Sequence, residues 1–259
     1  MKIQTGKQVN VERAADMPQV ASIGNRQSAI GNGHAFTLIE LLVVISIIAV
    51  LAAFTIPVMS SVLKAQKISV AKAELSLIET ALENYKSKYG AYPPSNTNSP
   101  AANQLYYELS GVTNIGTAST PIYQTLDGAT TIPAANYAQV FSVGGVINCT
   151  KGSGEDAVLA KDFLTGLKAT QLAAATNASS GNVNVYYLVT SVGGPDPISL
   201  STVAISGLTA INGGFANPIR YNSLNPTNNP NSYDLWVDLV ISGKTNRVSN
   251  WSQNQQVIQ

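Results

Sequence analysis

Residues 36–56, FTLIELLVVISIIAVLAAFTI, carry one charge, Glu40, in 21 residues. As a helix that run is about 30 Å long, the thickness of a bilayer's hydrocarbon core. A carboxylate at such a depth costs about 2.5–3.5 kcal/mol on insertion scales, so one retained there has a partner and a use. Pro57 comes next, where a proline either bends a helix by removing an i→i−4 hydrogen bond or sits at the membrane boundary. Beyond it the pattern changes rather than stops. Ile68, Ala71, Leu75, Ile78, Leu82, Tyr85 and Tyr89 recur in steps of three and four, one stripe of a helix, with Lys64, Lys67, Lys72, Glu74, Glu79, Glu83, Lys86 and Lys88 on the other faces. Gly90, Pro93 and Pro94 end the pattern. The two halves read as one helix over residues 36–89, with 36–56 transmembrane and 57–89 amphipathic, some 75–80 Å in all. Helices of that length without internal caps serve assembly as well as core packing.

Residues 1–35 are mostly polar and hold Lys2, Lys7, Arg13 and Arg26 against Glu12 and Asp16. That excess of positive charge keeps a leader in the cytoplasm and sends the chain beyond the apolar run outward. Two plainer readings compete. A single-pass anchor explains length and orientation but leaves Glu40 without a purpose. A secretory signal peptide cut within VLAA would use Val50 and Ala52 as its small residues, and leaves both Glu40 and the helix after Pro57 unexplained.

Composition narrows the chemistry. Only 11% of the 259 residues are charged, the net charge is +1, and 11 residues are tyrosine. This is the make-up of an extracytoplasmic, β-rich domain rather than a disordered tail, and it offers no basic excess for a nucleic acid. Cys149 is the one cysteine and His34, ahead of the apolar run, the one histidine. An intrachain disulfide, a thiolate metal cluster and histidine-based nucleophilic or zinc catalysis are thereby excluded from a chain cut after His34. Cys149 reads as a small packing residue, and Tyr106, Tyr107, Tyr186 and Tyr187 as packing aromatics. The expectation is a protein that is not an enzyme.

The stretch AFTLIELLVVISIIAVLAAFTIPVMSSVLKAQ resembles the prepilin-type cleavage and methylation segment of type IV pilins and type II secretion pseudopilins. Counted from Phe36, Glu40 is fifth and Pro57 twenty-second, the spacing of that family. The resemblance implies cleavage by a membrane aspartyl peptidase between Ala35 and Phe36 and N-methylation of Phe36. That family mostly has glycine before the cut, where this chain has Ala35; a cut after Gly33 would make Glu40 seventh, so the bond after Ala35 is preferred. The resemblance further implies that Glu40 pairs with the terminal amine of a neighbouring subunit during filament assembly. Pairing with the amine of its own chain is the alternative that sequence leaves open. A methylated amine keeps its charge, so either pairing survives methylation.

Shorter matches lie further along the chain. LSLIETALENYKSKYGAYPPS resembles the helix end of major type II secretion pseudopilins through Tyr85, Gly90, Tyr92 and Pro93, and FANPIRYNSLNPTNNPNSYDLWVDLVISGKTNRVSNW resembles their C-terminal hairpin through Asn217, Pro218, Tyr221 and the run Tyr233, Asp234, Leu235, Trp236. From the residues themselves, 234–241 alternates as a strand with Leu235, Val237, Leu239 and Ile241 on one face. Gly243 and Lys244 make a turn from which residues 247–251 pair back. Residues 183–192, bounded by Gly193, Gly194 and Pro195, read as a strand, 140–147 as a further one, and 155–175 as a helix with acids at its start. Residues 95–102, 111–121 and 176–182 read as loops, and 95–182 as an elaborated, partner-facing connection.

Pseudopilins of this group often bind calcium through C-terminal acids. Asp234 and Asp238 are the candidates here, and four residues along a strand sets them about 13 Å apart, too far to share an ion ligated at ~2.3–2.6 Å. Both read more simply as solvated strand residues.

The fold expected is α+β and pilin-like: a leader (1–35), a long helix (36–89) whose first half spans the membrane, and a globular antiparallel β-sheet domain (90–259) on the periplasmic or extracellular side of a bacterial inner membrane. The function expected is that of a structural subunit of a type II secretion pseudopilus or a type IV pilus-like fibre. The resemblance implies as partners further copies in a helical homopolymer, prepilin peptidase, the inner-membrane assembly platform and other pseudopilins. A lone cysteine and the C-terminal matches favour the pseudopilin branch. The alternative is a non-polymerising, membrane-anchored binding module, which Glu40 discriminates.

Overall fold

The computed structural model describes residues 36–177, 183–193, 208–210 and 217–258. The expected leader with His34 and Ala35, most of the expected loop 176–182, and Gly194 and Pro195 lie outside the described residues. The long helix is present as α1, Leu38–Tyr89, 52 residues that run through Pro57 without interruption of the helix. It stops where the sequence says it should. Gly90 takes φ +80°, which a side chain would resist, and its N–H caps the Lys86 carbonyl at 2.7 Å.

The chain divides into two compact units, residues 1–52 and 53–259. In the second unit the expected stripe is the buried one: Ile68, Ala71, Leu75, Ile78, Leu82 and Tyr85 are each 7% exposed or less. Burying aliphatic side chains of this kind contributes about 1.5–3 kcal/mol apiece, so this part of α1 belongs to the globular core. One residue expected on the outer faces does not stay there. Glu74 is buried and accepts from the Thr190 hydroxyl at 2.5 Å and the Ser191 hydroxyl at 2.5 Å.

Among the described residues, three antiparallel sheets complete this unit. The first is β1 (Val112–Asn114), β2 (Ile122–Thr125) and β3 (Thr131–Pro133) in sequence order. The second orders β6 (Leu208–Ala210), β4 (Leu172–Asn177), β5 (Val183–Thr190) and β7 (Asn217–Pro218). The third orders β11 (Ser252–Ile258), β10 (Lys244–Ser249), β9 (Asp234–Ile241) and β8 (Arg220–Asn222). Two short helices, α2 (Leu105–Ser110) and α3 (Ala134–Phe141), sit in the connection ahead of β4. The fold is thus α+β, as expected.

β5 and β9 match their expected positions, and Leu235, Val237, Leu239 and Ile241 are buried on one face of β9. Ser242 and Gly243 both take positive φ, the two-residue turn that lets β10 pair back on β9. Pairing starts at Lys244, and β10 is flanked in turn by β11, a strand that was not expected.

Four expectations are corrected. Residues 155–175 form no long helix but two short 3₁₀ turns, Gly154–Asp156 and Ala169–Gln171, an extended run between them, and the start of β4. Gly154 and Gly166 take positive φ, the Phe163 N–H bonds to the Leu109 carbonyl at 2.8 Å, and the Val- and Tyr-rich β5 recruits 172–177 as its partner. Residues 140–147 form no strand: Val140 and Phe141 finish α3, and Ser142 leaves it in a left-handed conformation. The expected loop 111–121 contains β1. The connection 95–182 is not a surface elaboration either, since it supplies Leu105, Tyr107, Leu109, Ile132, Tyr137 and Phe141 to the core, each 0% exposed. Tyr107, Tyr137, Phe141 and Tyr187 stack edge to face with ring centroids 4.9–5.8 Å apart, so these tyrosines are packing residues.

Candidate functional site

Of the residues expected to act in processing and assembly, Phe36 and Glu40 lie in the first unit and Pro57 in the second. Thr37 and Leu38 mark the start of α1, because the Leu41 N–H bonds back to the Thr37 carbonyl at 3.2 Å. Thr37 is therefore the N-cap and Glu40 the third residue of the first turn. The Glu40 N–H donates to Thr37 Oγ1 at 3.3 Å, and Glu40 Oε2 accepts from the Thr37 N–H at 2.8 Å. This reciprocal pair is a capping box, which satisfies two of the donors that every helix start leaves unpaired. The Thr37 hydroxyl also donates to Glu40 Oε2, at 2.7 Å. Thr37 was missed as a functional residue, although the T-x-x-E spacing ahead of an apolar run is its sequence signature. Phe36 lies outside the helix and is 76% exposed, while Ala35 is outside the described residues.

The rest of the first unit's helix is apolar on every side. Leu41, Leu42, Val43 and Val44, four consecutive residues that circle it once, are 46–57% exposed, and Ile45, Ile47, Ile48 and Leu51 are 54–62% exposed. A helix that is apolar all round needs cover. Among the described residues no helix is long and apolar enough to cross a membrane, and the expected transmembrane segment 36–56 is not seen as such. The apolar side chains that are described run to Phe54, about 25 Å from the helix start at 1.5 Å per residue.

At the other end of the sequence, Asp234 and Asp238 are not the solvated strand residues expected. They are 3% and 7% exposed, and each is already engaged. Asp234 accepts from the backbone N–H groups of Thr227 (2.8 Å), Asn228 (3.0 Å) and Asn229 (2.9 Å) and from the Asn228 amide (3.0 Å), holding the loop between β8 and β9. Asp238 takes the Arg247 guanidinium as a fork, with Nε at 2.8 Å and Nη2 at 3.0 Å, and lies 3.7 Å from Arg220 Nη1. Donors and cations fill the places a calcium ion would need, and no group of three His, Cys, Asp or Glu among the described residues could hold a metal. The acids do not fit calcium. Adding a calcium chelator is expected to leave the thermal unfolding midpoint within about 1 °C, because only a ligand bound to the native state stabilises it; a fall of several degrees, reversed by calcium, would contradict this.

Cys149 is half-buried, and burial pushes its thiol up, away from the thiolate a nucleophile needs.

Comparison with known proteins bears on the N-terminal site. Residues 32–56 match the prokaryotic N-terminal methylation motif. Over 58 residues, 22% of the chain, it is 43% identical to the type II secretion system core protein G of Pseudomonas aeruginosa, and the match spans 41% of that protein's length. No solved structure matches the chain. The N-terminal region is pilin-like, of the kind that type IV pilins and type II secretion pseudopilins share, and proteins of that kind are structural subunits rather than enzymes.

Proposed function

We propose that the chain is a subunit of a filament of the type II secretion pseudopilus or type IV pilus kind, assembled through α1 after prepilin peptidase cuts between Ala35 and Phe36. The observation that carries this reading is one carboxylate, Glu40, at the start of a helix whose first apolar residues, as far as Phe54, are exposed all round. Before assembly, the cover would be the hydrocarbon of an inner membrane. α1 continues through Thr55 and Ile56, and its 19 residues from Leu38 to Ile56 would span about 28 Å, close to the hydrocarbon thickness of a bilayer. After assembly, the cover would be the same helix of neighbouring copies. Cleavage would create a cationic amine at Phe36, the charge that lets a carboxylate remain ionised away from water. The globular unit would then stand on the periplasmic or extracellular side, with further copies, other pseudopilins and a membrane assembly platform as partners. The similarity to a secretion core protein favours the pseudopilus over the surface pilus.

The test is the intact mass and N-terminal residue of the protein recovered from membranes, with and without prepilin peptidase. A peptidase-dependent start at Phe36, heavier by one methyl group, is the expected result. An uncut chain, or a start near Ala53, would leave Glu40 without the amine and overturn the proposal.

A further inference from the structure

Glu40 has a partner before any neighbour arrives. Its Oε2 takes both Thr37 donors, the backbone N–H at 2.8 Å and the hydroxyl at 2.7 Å, and no hydrogen bond among the described residues ends on Oε1. The two oxygens are thus differently committed. Building on the filament reading above, we infer that Thr37 is the positioning residue for Glu40: its hydroxyl fixes one carboxylate oxygen on the helix's own N-terminus and leaves Oε1 for the amine of a neighbouring copy.

The physical case has two parts. A glutamate has three side-chain torsions, and docking onto an amine must freeze them; a carboxylate already held by Thr37 has lost that freedom within its own subunit. Charge is the second part. A carboxylate surrounded by apolar side chains is costly unless donors reach it, and the helix N-terminus supplies donors together with the positive end of its dipole. Thr37 thus makes Glu40 tolerable while the subunit waits, and it occupies only half of the carboxylate. The backbone N–H is available whatever residue stands at position 37. The hydroxyl is the component that a substitution removes.

The experiment compares Thr37→Val, Thr37→Ser and Glu40→Ala in the full chain, co-expressed with prepilin peptidase, and measures the fraction recovered in sheared filaments. Intact mass checks processing, and far-UV circular dichroism of the purified subunit checks that the helix is retained. Valine, with the shape but not the hydroxyl, is expected to lower the filament fraction about fivefold, the effect of one N-cap contact, with processing and helix content unchanged. Serine restores the hydroxyl and is expected to stay within about twofold of the parent. Parent-like assembly of Thr37→Val, or an equal loss in Thr37→Ser, would overturn the inference while Glu40→Ala still fails to assemble. Parent-like assembly of Glu40→Ala would instead overturn the filament reading on which it rests.

Discussion

Replacing Glu40 with alanine is expected to lower filament incorporation by about a hundredfold or more and to leave the chain in the membrane fraction. On the proposed reading, the substitution strands a cationic amine at Phe36 among apolar helices. Removing one partner of a buried ion pair costs about 3–5 kcal/mol, because the other charge stays desolvated and unpaired. The apolar residues from Leu38 to Phe54 are untouched, so membrane retention should not change. Glu40→Gln separates charge from shape. The amide keeps an oxygen for the Thr37 N–H and hydroxyl, so the capping box survives, yet it offers no negative charge. Glutamine that assembles like the parent would mean that Glu40 acts through the cap alone. Alanine that assembles like the parent would leave the non-polymerising, membrane-anchored module as the better account. Counting subunits in sheared and membrane fractions distinguishes these outcomes.

Legibility in the sequence depends on the range over which each residue finds its partner. The stripe from Ile68 to Tyr85 was readable because helix period and burial say the same thing, and it is the buried face of α1. β9 was readable for the same reason at period two. Residues 155–175 misled because acids, alanines and an absence of proline favour a helix locally, whereas the β-branched and tyrosine residues of β5 pull 172–177 into a sheet. The short apolar run at 140–147 fits helix or strand equally; its first two residues end α3, and with Gly144 and Gly145 after Ser142 no strand follows.

The candidate residues divide along the same line. Phe36 and Glu40 stood out as a motif, and Thr37 could have been found from its spacing to Glu40 alone. Asp234 and Asp238 could not be assigned from spacing, because their partners arrive from the loop at 227–229 and from Arg220 and Arg247. Glu108 was invisible for the same reason. It is a lone acid in the run YYELS, and nothing nearby announces what it bonds.

Glu108→Ala is expected to destabilise the globular unit by about 3–5 kcal/mol, a large part of the roughly 5–15 kcal/mol that holds a typical domain together. Glu108 is 0% exposed, and three donors converge on its carboxylate: the Ile147 N–H at 2.9 Å, the Asn148 N–H at 3.1 Å and the Tyr85 hydroxyl at 2.9 Å. Alanine leaves all three without this acceptor, at about 1–3 kcal/mol for each that is shut off from water and stays unsatisfied. The damage would extend beyond them, because the Asn148 amide next to this carboxylate holds the Glu108 and Lys161 carbonyls and receives the Tyr89 hydroxyl. One carboxylate thus joins α1, α2 and the loop after α3. Burial pushes the Glu108 carboxyl above its ordinary range, against the pull of its three donors. The folded state therefore binds this proton more tightly than the unfolded chain, where a glutamate titrates near 4.3. Its contribution is full below about pH 4.3 and is lost as pH rises through the folded pKa. Glu108→Gln keeps one acceptor and cannot titrate, so it should cost less than alanine and remove that slope. Denaturant midpoints of the detergent-solubilised chain across this pH range would check both effects. Parent-like stability of the alanine variant would mean that the loop at 146–149 finds other acceptors, and that Glu108 is not what ties it to α1.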